Sequence, residues 1–237
     1  MPTAKPIIDF CGELARGLES FFFPSLCRAC GAELEGRGAR LLCAKCREEL
    51  RAPLPDGWRE SCRLAGSEAP RYARLPYEGP AGEAVRLLKF GGKRRMAPLL
   101  AACVTPLAGE LKAAYGLDTL VPVPLHPVRR RERRFNQAEE IGRRVASAAA
   151  LAFKRRGLAR TKYTRPQVEL SGEERLANVR GAFAAREAFA GKRVLLLDDV
   201  ITTGATVGEC GRVLREAGAA AVVALAAAGA GLKEPVQ

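Results

Sequence analysis

Histidine occurs once in this 237-residue chain, aromatic side chains make up 6% of it, and no stretch approaches the length of a membrane span. Each shortage excludes something. The lone His126 has no carboxylate partner nearby in sequence, so a loop or structural role is expected rather than general acid–base chemistry. Few aromatics argue against an extensive base-stacking platform, so any nucleic-acid binding would lean on phosphate and weaken with salt. With no apolar run of about 20 residues, no membrane insertion is expected. Ile7-Ile8 is followed at once by Asp9, which does not read as a secretory signal, and the expectation is a cytoplasmic protein. The chain also lacks Gly-x-x-x-x-Gly-Lys-Ser/Thr, which argues against a nucleoside-triphosphatase phosphate loop.

What is present begins with charge. Lys and Arg outnumber Asp and Glu by 39 to 26, a formal net charge of +13. Between His126 and Arg160 stand eleven basic and three acidic side chains, so most of the excess lies in one segment. Such a segment favours polyanions, either a pyrophosphate-bearing small molecule or nucleic acid; a solvated helix face is the plain alternative. The apolar share of 48% is enough for one full α/β domain with a small attachment.

The organising stretch is Val194 to Thr206, reading Val-Leu-Leu-Leu-Asp-Asp-Val-Ile-Thr-Thr-Gly-Ala-Thr. Aliphatic residues running into two acids predict a strand buried on both faces that ends at a polar edge. A helix follows, with Val207, Cys210, Val213, Leu214 and Ala217 on one face and Gly218 as its stop. Backbone amides of a tight Thr/Gly loop at a helix start, with hydroxyls beside them, make a monophosphate cradle. Asp198 and Asp199 can accept hydrogen bonds from hydroxyls, as on a ribose, or approach a divalent cation. A Walker-B-like strand and an ordinary strand-to-helix turn are the competing readings.

Eight cysteines are present, and four form two knuckles, Cys27-x2-Cys30 and Cys43-x2-Cys46. Paired knuckles bring four thiolates within tetrahedral reach of one zinc ion, with Gly31 and Gly36 supplying turns. With few apolar residues of its own, that segment is expected to need the metal to fold; four reduced cysteines in a collapsed loop is the alternative. Cys62 stands apart, while Cys103 and Cys210 fall on apolar helix faces and read as core.

In chain order, residues 1–20 read as an amphipathic helix carrying Ile7, Phe10, Cys11, Leu14 and Leu18, with Phe21-Phe22-Phe23-Pro24 expected to be buried. Residues 1–50 form an N-terminal helix and a four-cysteine zinc-binding module, 51–75 a Pro/Gly-rich linker, and 76–237 the main domain. A strand is expected at Leu75–Tyr77, a short helix at Glu83–Phe90, and a long helix from Met96 to Leu111 with a bend at Pro106. Leu120–Pro124 reads as a strand ending in a proline-constrained turn that carries His126. The arginines from Arg129 to Arg134 are read as a loop, Phe135 as its anchor or a stacking ring, and Asn136 with Glu139 as a capping box. Ile141, Val145, Ala148 and Ala152 mark the buried stripe of the following helix. Val222–Leu225 reads as a last strand before an alanine-rich tail.

The aliphatic run, Asp198-Asp199 and Thr202-Thr203-Gly204-Ala205-Thr206 resemble the PRPP-binding signature of type I phosphoribosyltransferases. With the cysteine knuckles, Leu88-Lys89-Phe90, Val121-Pro122-Val123-Pro124 and Arg134-Phe135-Asn136-Gln137, the order of parts over nearly the whole chain is similar to the ComF family, the ComFC and GntX-like proteins. The resemblance implies an α/β fold, a type I phosphoribosyltransferase-like parallel sheet with flanking helices, and a zinc-ribbon-like N-terminus. It implies that Asp198 and Asp199 hold the PRPP ribose, that Thr202, Thr203, Gly204, Ala205 and Thr206 hold the 5-phosphate, and that magnesium bridges ribose hydroxyls and pyrophosphate. Lys89, Arg134, Arg175 and Arg180 become the candidate cations on departing pyrophosphate. Transfer of phosphoribosyl to an unknown acceptor is one expected function. The other is a competence accessory in DNA uptake that binds single-stranded DNA, with PRPP as ligand or regulator and competence-machinery proteins as partners; a zinc-stabilised scaffold with a vestigial pocket is a third. Two departures stand out: the second cysteine cluster of several members is reduced to Cys62, and Arg134 stands where many members have glycine.

Overall fold

The computed structural model describes residues 25–34, 41–64, 69–163 and 177–232. The helix read at 1–20, the Phe21–Pro24 run, Gly36 and Arg175 lie outside the described residues.

The centre of the molecule is β6 (Arg193–Ile201). Val194 and Leu196 face one hydrophobic cluster, and Leu195 and Leu197 the other, so the strand is buried on both sides as its unbroken apolar run requires. It pairs in parallel with β2 (Thr119–Pro122) and with β7 (Ala221–Gly229). β1 (Arg71–Pro76) and β3 (Ala152–Phe153) complete an all-parallel sheet in the order β1-β7-β6-β2-β3. Helices cover both faces, which is the architecture the resemblance implies.

Two of these strands correct the sequence reading. β1 begins at Arg71 rather than Leu75, so the end of the stretch read as linker lies inside the sheet. β7 runs on through Ala226, Ala227 and Ala228, which the sequence pattern assigns to a tail. Alanine is a poor strand former in isolation, and here pairing with β1 and β6 decides the matter.

α1 (Ala44–Arg51) follows the second cysteine knuckle, and α2 (Trp58–Ser61) packs Trp58 against Tyr72 of β1, ring centroids 5.9 Å apart. α3 (Gly79–Lys89) leads from β1 toward the carboxyl end of β6. α4 (Met96–Tyr115) runs through Pro106 as one helix and stops at Gly116, whose φ of 62° is the left-handed conformation of a helix C-cap. Leu42 and Leu50 beside the knuckles are buried in the same cluster as α4, and the Cys103 thiol reaches the Leu50 carbonyl. Cys103 and Cys210 are both buried, as expected of core cysteines.

The arginines after His126 are not on a loop. They form a short helix, α5 (Pro127–Arg133), with Pro127 in its first turn and His126 Nδ1 accepting from the Val128 amide at 3.3 Å. α6 (Gln137–Ala148) is capped by Asn136, whose side chain accepts from the Ala138 amide at 3.1 Å. The Glu139 carboxylate is spent on Arg130 and Arg155. The buried stripe is Ile141, Gly142, Val145 and Ala146; Ala148 is exposed at the helix end and Ala152 belongs to β3. β4 (Leu158–Arg160) and β5 (Phe183–Ala185) pair antiparallel outside the main sheet, and α7 (Ala205–Glu216) packs beside β5.

Candidate functional site

Asp198 and Asp199 lie near the carboxyl end of β6, the usual place for ligands on a parallel sheet. The Asp199 amide donates to Asp198 Oδ1 at 2.8 Å. Asp199 is buried, and its Oδ1 meets Lys89 Nζ, at the last residue of α3, at 2.9 Å. Burial together with the charge of Asp199 pushes the Asp198 carboxyl up to about 7, against the pull of Lys89. Burial works against the charge of the Lys89 ammonium too, but the two carboxylates outweigh it and hold its pKa above the ordinary lysine value.

After Ile201 the chain turns. Thr202 and Thr203 are exposed, Gly204 takes φ 79° as the N-cap of α7, and the Ala205 amide lies 3.4 Å from Thr203 Oγ1. Beneath the turn is a residue the sequence reading missed. Arg71 of β1 is buried and donates from Nη1 to the Thr203 carbonyl at 3.0 Å. A Cβ on Gly204 would sit 1.5 Å from that same nitrogen, so glycine is required both by the backbone and by the guanidinium packed against it. The loop thus has a cation fixed under it while Thr202 and Thr203 are exposed on it. Nothing local marks Arg71; it lies in the stretch read as linker, and only the pairing of β1 with β7 brings it there.

Three further segments converge on the same strand ends. The Val123 amide donates to the Leu197 carbonyl at 2.8 Å, and Asn136 Nδ2 donates to the Val123 carbonyl at 2.9 Å. That chain of bonds ties Asn136, through Val123, to the residue just before the acids. Phe135 is buried and anchors the turn, with the Arg94 guanidinium 5.3 Å from its ring centroid. Arg134 is exposed at φ 64°, a left-handed conformation that glycine would take freely. Arg160 of β4 is the second missed residue: burial lowers its pKa, and the Asp198 charge opposes that. Its signal is present in the basic segment but cannot be told there from a solvated face. Arg180 is exposed and adjoins Gly181, whose amide donates to Glu209 of α7 at 2.7 Å; no contact among the described residues ties Arg180 to the acids.

A second cluster lies apart from the first. The sulfurs of Cys27, Cys30, Cys43 and Cys46 all lie within 4.8 Å of one another. Cys27 and Cys46 are 3.8 Å apart, and Cys30 and Cys43 3.7 Å. Four sulfurs about 2.3 Å from one zinc in a tetrahedron stand about 3.8 Å apart, so the residues fit the metal. The Cys43 amide donates to Cys27 Sγ at 3.3 Å. Burial alone would raise the Cys27 thiol, yet the surrounding amides bring it down to about 6, while burial and the neighbouring thiols push Cys46 up.

Residues 105–237 match the family model for the phosphoribosyl transferase domain. Over 225 residues the chain is 29% identical to the DNA utilization protein YhgH of Salmonella typhimurium strain LT2, covering 94% of this chain and 91% of that protein. It is 26% identical over 203 residues to competence protein F of Haemophilus influenzae, 81% of this chain and 85% of that one. It is 34% identical over 113 residues to competence protein ComFC of Streptococcus pneumoniae, 48% of each. Among solved structures, the glutamine PRPP amidotransferase from B. subtilis complexed with ADP and GMP overlaps 50% of this chain and 25% of that one. The identity is 25% and the TM-score 0.33, too low to carry weight.

Proposed function

The chain belongs to the phosphoribosyl transferase domain family as a ComF-type, type I phosphoribosyltransferase-like protein with a four-cysteine module, and from that premise we propose that its working ligand is PRPP. The observation that supports this most is the juxtaposition at the end of β6: two acids, one tied to Lys89 at 2.9 Å, beside a hydroxyl-bearing turn that caps α7. Asp198 and Asp199 accept from the ribose 2- and 3-hydroxyls. Thr202, Thr203, Gly204, Ala205 and Thr206 wrap the 5-phosphate with amides and hydroxyls. Two carboxylates alone would repel a phosphorylated sugar; Lys89, Arg71, Arg160 and Arg134 reverse that field.

Magnesium held with the ligand beside Asp198 and Asp199 would supply charge neutralisation. The chain's own part is to hold the sugar and to face the departing pyrophosphate with cations. Lys89 and Arg134 are the cations we assign to this role, with Arg180 joining them only if the 177–182 segment turns toward the acids and Arg175 as the remaining candidate. The acceptor is an unidentified nucleophile. The four-cysteine cluster holds a structural zinc, and the protein works in the cytoplasm, where its thiols stay reduced. No helix among the described residues is long and apolar enough to cross a membrane.

Calorimetry with PRPP and magnesium tests the reading on wild type and on the Asp198→Asn, Asp199→Asn double variant. Binding by wild type and at least a tenfold loss in the variant is expected; no binding by wild type would remove the proposal. Pyrophosphate release with candidate bases tests turnover.

A second reading is favoured by the relatives named for DNA utilization and competence, and by the arginines of α5. In it the protein handles single-stranded DNA alongside competence-machinery proteins, with PRPP as ligand or regulator. Single-strand affinity should then fall steeply with salt, and a flat response would sink this reading.

A further inference from the structure

Among the described residues only three large hydrophobic side chains are strongly exposed: Leu26, Phe90 at 72% and Tyr163 at 54%. Two of the three are aromatic, and both lie under arginines of the same short helix. The Arg133 guanidinium is 5.3 Å from the Phe90 ring centroid, and that of Arg129 is 5.8 Å from Tyr163. Arg129 and Arg133 are four positions apart on α5, hence on one face and about 6 Å apart along its axis. The imidazole of His126 meets Tyr163 edge-on at 5.2 Å, and fixes that ring further. Each ring therefore has one side supported by a cation while much of its surface remains in water.

An exposed aromatic is costly to leave uncovered, and two of them flanking one helix invite a partner with flat faces. The helix also says what charge that partner carries. Arg129 and Arg130 are paired with Glu132 and Glu139, but Arg131 and Arg134 are exposed with no ion pair or hydrogen bond among the described residues. Flat apolar faces joined by regularly placed anions are the description of a single-stranded polynucleotide, and aromatic rings with arginines beside a basic track are how such strands are held without sequence preference.

We propose that Phe90 and Tyr163 form a two-ring ledge beside α5 on which two bases of a single-stranded polynucleotide stack, with Arg134, just past the helix end, taking a backbone phosphate. The proposal rests on the second reading above and gives it a location. Phe90 follows Lys89, whose ammonium holds Asp199, so the ledge opens directly beside the acid pair. A strand bound there would lie at the mouth of the sugar-phosphate pocket. The 6% of aromatics that argues against a broad stacking platform is compatible with a small one, because two rings suffice.

The test uses the full-length, zinc-loaded protein and fluorescence anisotropy with two probes, a thymidine 15-mer and an abasic 15-mer of the same charge. Wild type should hold the thymidine strand about tenfold or more tighter than the abasic one. The Phe90→Ala, Tyr163→Ala double variant should bind both alike, since each stacked base contributes about fivefold or more. Phe90→Trp with Tyr163→Trp should restore or exceed wild-type binding, and this pair decides the matter if the alanine variant fails to fold. The proposal is overturned if wild type binds the two probes equally, if the alanine variant stays within twofold of wild type, or if the tryptophan pair loses affinity. PRPP calorimetry on the same samples keeps the two readings apart: heat from PRPP with no strand binding by wild type would overturn the ledge and the second reading while leaving the sugar-phosphate site intact.

Discussion

The cysteine knuckle and the acid end of β6 are both tight clusters of ionisable groups, but they are assembled by opposite means. At the knuckle, Cys27 and Cys46 are buried against each other and the segment contributes little beyond Leu42 and Leu50 to the core. On the reading that one metal ion binds all four sulfurs, its shape depends on that metal. At β6 the strand is hydrogen-bonded on both sides and apolar on both faces, so Asp198 and Asp199 are held in place whether or not a ligand is there. The first cluster needs its ligand to be a structure. The second is a structure that bears electrostatic strain with no ligand bound.

If that contrast is right, the largest effect comes from removing the metal. Chelation, or the Cys27→Ser, Cys46→Ser double variant, should destabilise the knuckle and pull Leu42 and Leu50 away from α4. The expected loss is of the order of 5 kcal/mol or more, read as a fall in melting temperature on the order of 10 °C. A shift under about 2 °C in metal-free protein would break the comparison, because the knuckle would then stand on packing alone.

Next in size is the ion pair at the other site. Lys89→Met strands Asp199, whose side chain is only 7% exposed, beside a second carboxylate. A loss of about 3 kcal/mol is expected in denaturant unfolding. Adding Asp199→Asn should recover most of it, a coupling that separates charge from lost packing. If Lys89→Met alone is neutral, the acid end is not strained and the contrast with the knuckle weakens.

A smaller effect has a pH signature. Because the Asp198 pKa is raised from 3.8 to about 7, the folded protein keeps a proton there that the unfolded chain releases near pH 4. Stability from this group is therefore highest below about pH 4, declines as pH rises from about 4 to about 7, and is lost above that. Asp198→Asn should raise stability at pH 8 by about 1–2 kcal/mol and change little at pH 4. The same variant should bind PRPP more weakly, so stability and binding move in opposite directions. Melting curves at the two pH values check the first half and calorimetry the second.

Much of this was legible in the sequence because it was carried by local pattern. The aliphatic run of β6, the acids, the Thr/Gly turn and the spaced cysteines announce their neighbours within a few residues. What was not legible depends on pairing over long separations. β1 reads as linker because Arg71-Tyr72-Ala73-Arg74 has no strand-like alternation; pairing with β7 makes it an edge strand and puts Arg71 under the Thr/Gly turn. The alanines of β7 read as tail for the same reason. The arginines of α5 read as loop because charge density hides a short helix, and its proline start and His126 cap become visible only with the backbone. Of the named cations, the fold brings Lys89 to the acids, puts Arg134 in the turn that Asn136 ties to the strand ends, and leaves Arg180 next to Gly181, whose amide is bonded to Glu209 of α7, a difference that spacing could not resolve.

The smallest predicted effect is also the sharpest test of strain held for function. Arg134 adopts φ 64° and ψ −8°, exposed and without an ion pair or hydrogen bond among the described residues. A side chain in left-handed backbone costs roughly 1–2 kcal/mol relative to glycine, and glycine gives back part of that through its freer unfolded state. Arg134→Gly should therefore stabilise the fold by about 0.5–1 kcal/mol in urea titrations, while Arg134→Ala, which keeps the strain and loses the charge, should be neutral or slightly destabilising. Both should weaken binding of PRPP or pyrophosphate by severalfold, since either removes the cation. If glycine stabilises the fold and leaves anion binding unchanged, the guanidinium does nothing that offsets its backbone, and the acid end of β6 holds less strain for its ligand than the contrast with the knuckle requires.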